Sequence, residues 1–147
     1  MKNPLLILFI LGAVFMTNAQ EFKIITVVES IVPMGLGRSR IIENQNITDF
    51  NNFTTERTDG TTSSQSKISR KSAKIDKLSE TKLLNFYSGV GINFQNIASN
   101  DAIISSKINA MVKEGWTLTF VTSGVESVAG QADANGIFIT RLFFSRS

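Results

Sequence analysis

The chain has 147 residues, with 15 Lys and Arg against 12 Asp and Glu, a formal charge of +3, and neither cysteine nor histidine. This inventory excludes disulfides, thiolate nucleophiles, thiolate metal sites and lipid attachment through cysteine, and it removes the commonest metal ligand and the commonest general base near neutral pH. So small a positive excess implies no nucleic-acid partner, and a single domain with a modest core is expected at this length.

At the start, Lys2 forms a short basic region, Leu5 to Met16 an apolar run, and Thr17-Asn18-Ala19 a small-residue site before Gln20, the pattern of a secretory signal peptide over residues 1-19. The apolar run is shorter than the ~20 residues a spanning helix needs, and no second one follows, so no transmembrane segment is expected after cleavage. The charge drops to +2 once Lys2 leaves. Export without disulfides points to a bacterial protein, periplasmic or secreted.

Phe22 to Val32 is rich in β-branched residues. Ile24-Ile25-Thr26-Val27-Val28 is apolar at every other position on both sides, which predicts a central strand covered on both faces. Pro33 ends it, and Met34-Gly35-Leu36-Gly37 turns the chain into a short second strand, Arg38 to Ile42. Alternation puts Arg38 and Arg40 on one face of that strand, side by side, about 7 Å apart. Gly35, Gly37, Arg38 and Arg40 are therefore the candidate anion-binding residues, because paired guanidinium groups beside a glycine turn can chelate a carboxylate or phosphate. Glu29 across the hairpin is the structural alternative as their partner. Neither this loop nor Gly89-Val90-Gly91 carries a nucleotide-phosphate motif, so glycine turns are the plainer reading of both.

From Glu43 to Lys77 the composition turns to Asn, Thr, Ser, Asp and Lys, with few large apolar residues, and a disordered insertion at 43-77 is expected. Asn46 and Asn52 match the N-glycosylation pattern, which means little in a bacterial setting. The basic run from Lys67 to Lys82 is broken by Asp76 and Glu80 and has no aromatic residue to stack on bases, the pattern of a solvated segment. Lys82 to Ser88 reads as a strand, and Ser88 to Phe94 as a tight connection to a helix.

Ile104, Ile108, Met111 and Val112 recur on one helical face, with Ile103 at its edge. Ser99 or Asn100 is the candidate N-cap, and Gly115 the left-handed residue that closes the helix. A strand then starts at Trp116, whose indole is a core residue or a ligand platform, with Trp116, Leu118 and Phe120 on one face. Thr122 to Gly136 is a glycine-bearing loop, where Glu126 and Asp133 lack calcium-loop spacing. Ile137 to Phe144 is a hairpin return, with Phe138, Leu142 and Phe144 on one face and Ile137, Ile139 and Phe143 on the other.

The span Ile108 to Val121, with the late strand Ile137 to Phe144, resembles a family of small uncharacterised bacterial domains whose signature is a helix, Gly-Trp, a strand and its hairpin partner. The resemblance implies a compact α+β domain. It carries over no functional residues.

The expectation is thus a signal peptide followed by a single α+β domain, residues 20-147: a mostly antiparallel sheet of four or five strands with one amphipathic helix packed on a face. Its role would be non-catalytic binding, to an envelope or extracellular partner or a small anion, without cofactor or metal. The alternative is a small enzyme acting on an anionic substrate through the Gly35-Arg40 loop.

Overall fold

The computed structural model describes residues 19–30, 38–88, 90–126 and 136–147. Residues 1–18 of the expected signal peptide, Gly35, Gly37, Asp133 and the Asn135-Gly136 turn's first residue lie outside them.

Among the described residues five antiparallel strands form one sheet in the order β3-β2-β1-β7-β6, and one helix, α1, packs on one face. The strands are β1 (Glu21–Ser30), β2 (Arg40–Asn44), β3 (Leu78–Lys82), β6 (Thr117–Glu126) and β7 (Ile137–Arg146); a two-stranded ribbon, β4 (Tyr87–Ser88) and β5 (Gly91–Ile92), precedes α1 (Phe94–Lys113). The fold is α+β, as the sequence implies. Pairing of β1 with β7 runs from Glu21↔Arg146 to Ser30↔Ile137 and binds the two ends of the domain together. As β3 and β6 are opposite edges, α1 must carry the chain across the sheet; its 20 residues span about 30 Å, more than enough for five strands.

The helix begins earlier than its apolar stripe suggests. Asn93 is the N-cap, its Oδ1 accepting the Asn96 N–H at 3.1 Å, while Asn100 lies inside the helix and is fully buried. At the other end, Gly115 adopts φ +86°, and the Trp116 and Gly115 N–H groups donate to the Met111 and Val112 carbonyls, the paired bonds of a left-handed helix stop. Met111 is buried, with Ile103, Ile104 and Ile108 partly so; Val112, placed on the same stripe by its spacing, is exposed.

The core lies between α1 and the sheet: Ile25, Val27, Ile41, Leu83, Met111, Trp116, Leu142 and Phe144. Trp116 is core, with the Lys23 ammonium 5.3 Å and the Arg146 guanidinium 4.4 Å from its ring. Glu43, on the same sheet face, accepts from Lys23 at 2.9 Å and from Lys107 of α1 at 2.6 Å, which joins helix to sheet by charge as well as packing. Its carboxyl is pushed up by burial, but the Lys107 and Lys23 hydrogen bonds and charges outweigh that and hold it below the ordinary range.

Four assignments change. Glu43 and Asn44, expected to open the insertion, end β2, and Thr122 to Glu126, expected in a loop, continue β6. Lys82 to Ser88 is not one strand: β3 ends at Lys82, the chain turns inward so that Leu83 enters the core, and only Tyr87–Ser88 pairs again, as β4. The shared face of Trp116, Leu118 and Phe120 is broken by an irregularity in β6, where Leu118 pairs Phe144 but Phe120 pairs Phe143. The extra residue, Thr119, sends Phe120 to the other side of the sheet, and its hydroxyl donates to the Phe143 carbonyl at 3.0 Å.

Residues 45–77 contain only two short 3-10 turns, Phe50–Phe53 and Gln65–Lys67, and are an excursion of the β2–β3 hairpin. The Gln45 N–H donates to the Lys77 carbonyl at 3.1 Å and closes its neck.

Candidate functional site: the open face of the sheet

Among the described residues one helix covers one face of five strands and leaves the other open. Along β1, Ile25 and Val27 are fully buried under α1, while their neighbours on the opposite side, Phe22 and Ile24, are 67% and 46% exposed. The expectation that β1 is covered on both faces is corrected here, since among the described residues nothing packs on the second face. The register places Phe143 beside Ile24, and Phe120 beside Phe143 with ring centroids 5.7 Å apart. Phe22, Ile24, Phe143 and Phe120 thus form one apolar patch across three adjoining strands.

Beyond the patch the same face becomes cationic. Val28 pairs Arg40 and Arg40 pairs Lys82, while Thr26 pairs Arg141, so Arg40, Lys82 and Arg141 stand on the open side. Ser39 points inward and is buried, which turns its neighbours Arg38 and Arg40 outward as alternation requires; Arg38 is exposed. Arg40 forms an ion pair with Glu80 of β3. Ser39, Arg40, Glu80 and Lys82 line a shallow depression of about 360 Å³, and a second, of about 350 Å³, lies over Thr122, Gly124, Ile139 and Arg141.

Glu29 is not the partner of the arginines. It lies one residue beyond Val28 on β1 and therefore faces the helix, where Asn100 Nδ2 donates to its Oε1 at 3.1 Å. Burial pushes its carboxyl up against the lowering effect of the Asn100 bond, and the charge of Asp101 adds to the rise. Around it runs a seam of buried polar groups. The Ser30 N–H donates to Ser39 Oγ at 2.9 Å, and that hydroxyl donates to Asn85 Oδ1 at 2.6 Å. Asn100 Oδ1 accepts the Leu84 N–H at 2.8 Å and its Nδ2 donates to the Leu84 carbonyl at 2.8 Å, while Asn96 Nδ2 donates to the Asn85 carbonyl at 2.9 Å. Every buried side-chain nitrogen and oxygen among the described residues has a partner, so this seam is a structural clasp that ties the segment after β3 to α1.

Of the sequence candidates, then, the structure brings Arg38 and Arg40 to an exposed face, adds Lys82 and Arg141 to them, and sets them beside an aromatic patch that strand patterning did not single out. One signal for the patch was available: a chain with one amphipathic helix cannot cover both faces of its sheet. Among the described residues no helix is long and apolar enough to cross a membrane. No family model, no curated protein and no solved structure matches the chain.

Proposed function

We propose that this protein is an exported, non-catalytic binding domain of the bacterial envelope, periplasmic or secreted, which holds an acidic protein partner against the open face of its sheet. The observation that carries this reading is the exposure of Phe22, Ile24 and Phe120 beside Arg38, Arg40, Lys82 and Arg141 on one surface. Apolar groups at the centre of an interface supply affinity and charges at its rim set orientation and encounter rate, and this face offers both. Arg38 and Arg40 would engage carboxylates of the partner, with Glu80 holding Arg40 in position until they do. The resemblance to small bacterial domains with a helix, Gly-Trp and strand-hairpin signature is part of the proposal and accords with it. The alternative of a small enzyme at the Gly35-Arg40 loop has less support, because the Ser39 hydroxyl is buried and already both accepts and donates a hydrogen bond.

Photo-crosslinking in producing cells tests the reading. A crosslinker at Ile24 should trap one acidic envelope or extracellular protein, Arg40→Glu with Arg141→Glu should abolish the adduct, and a crosslinker at Ser105 on the outer side of α1 should not give it. The same adduct from both positions, or one indifferent to the charge reversals, would contradict the proposal. The intact mass of the trapped species checks export, and should correspond to a chain starting at Gln20.

A further inference from the structure

The geometry points to a symmetric dimer in which the β6 edges of two copies of this chain pair antiparallel and join the two sheets into one. This goes beyond the partner-binding reading above and does not depend on it, because it rests on the β6 edge and the hollow beside it.

The two edges of the sheet differ. β3 is a five-residue strand with Glu80 and Lys82 on it, short and charged as protected edges are. β6 has ten residues, and from Thr117 to Val125 it carries neither charge nor proline. Its outward side has no partner strand among the described residues, although Phe120, Val121 and Val125 are all exposed. Absence of charge matters most for a second copy, since across a two-fold axis each residue near the axis meets itself or a close neighbour and any charge there repels its own image.

Shape then selects a register. Antiparallel pairing of identical strands places the two-fold axis perpendicular to the sheet, so helix-side residues must meet helix-side residues and the axis must pass through a residue rather than between two. The Thr119 bulge twists the start of β6 away from a flat edge, which leaves Phe120 to Glu126 as the regular stretch. An axis through Thr122 pairs Phe120 to Gly124 within it and sets Phe120 of each copy opposite Gly124 of the other. Phe120 is a 61% exposed ring on the open side, and Gly124 has nothing within 4 Å of where a side chain would begin. Gly124 also floors the depression of about 350 Å³ over Thr122, Ile139 and Arg141. Knob and hollow lie on one strand, equally spaced about Thr122, so the two-fold seats each ring over the partner's glycine, a cross-strand aromatic–glycine pairing known to rescue edge glycines. Both helices then lie on one side, and both open faces form a continuous surface on the other.

The test uses the protein purified from its producing cells and its variants, with circular dichroism to establish that each is folded. Sedimentation should show a concentration-dependent dimer. Thr122→Lys, which sets a charge against its own image, and Gly124→Leu, which fills the hollow, should each sediment as monomers. Because the chain has no cysteine, Thr122→Cys supplies a unique thiol on the axis, within disulfide reach of its mate at a paired-strand spacing, and mild oxidation should give a covalent dimer where Ser79→Cys on β3 gives none. A chain that stays monomeric at all concentrations, a dimer that survives Thr122→Lys or Gly124→Leu, or equal cross-linking at the two edges would overturn the inference.

Discussion

Replacing Asn100 by alanine should be among the most damaging single changes outside the apolar core. The side chain is fully buried and makes three hydrogen bonds, two of them to the N–H and carbonyl of Leu84 and one to Glu29. Alanine strips both backbone groups of their partner, at about 1–3 kcal/mol each, and removes a charge-assisted bond worth about the same. Set against this are rehydration of the half-buried Glu29 and a better helix former in mid-helix, which returns roughly 0.5 kcal/mol. The net expectation is a loss of ~3–5 kcal/mol. Urea unfolding followed by fluorescence of the single tryptophan measures it, with Asn109→Ala, exposed on the same helix, as the control that should change stability little. Asn100→Asp refines the reading: a carboxylate cannot donate to Leu84 or Glu29, so it should be worse at neutral pH than in acid. An Asn100→Ala cost below about 1 kcal/mol would refute the clasp, because the Leu84 groups would then have found other partners.

Other outcomes follow from neighbouring features. Gly115→Ala should cost about 1–2 kcal/mol through its left-handed backbone alone, since the nearest atom to an added Cβ is Arg146 Cδ at 3.7 Å, and Trp116→Ala about 3–5 kcal/mol as a core truncation; thermal melts separate the two. Two glutamates should titrate stability with opposite sign. Glu43, lowered in the folded state, contributes stability above the ordinary carboxylate range that is lost as pH falls through its folded value, so Glu43→Gln should destabilise at neutral pH and matter little in acid. Glu29, raised, contributes stability at low pH that is lost as pH rises through its folded value, so Glu29→Gln should stabilise at neutral pH and be indifferent in acid. In the β2–β3 excursion, Asp59 accepts from Thr62 and Thr61 and is lowered to about 2; a titration by NMR near the usual carboxylate value instead would mean that this turn does not persist in solution.

The elements with strong period were legible in the chain: β1, β7 and its two faces, the helix with its Gly115 stop, and the buried indole. Three features were not, each for a physical reason. Asn100 resembled a cap because asparagine inside a helix is unfavourable on local grounds, and only its long-range bond to Leu84 justifies it there. Phe120 changed faces because a bulge inserts one residue without altering composition. β3 was missed because its residues, Leu78 to Lys82, are all exposed, so no apolar alternation marks a strand that exists only by pairing with β2. For the candidate site, Arg38 and Arg40 were visible from alternation, but the residues that share their surface come from β3 and β7, and the distant pairing that gathers them leaves no local trace.

The sheet is clad on one face and open on the other, and two adjacent residues of β1 distinguish the faces. Ile24 and Ile25 have the same side chain on the same strand, one 46% exposed on the open face and the other fully buried under α1. Thermal melts of Ile24→Glu and Ile25→Glu should separate sharply, with Ile24→Glu close to the parent and Ile25→Glu unfolded or nearly so, because a carboxylate at the second position would be buried without a partner. Equal loss of stability at both positions would contradict this arrangement, since it would mean that the second face is covered too.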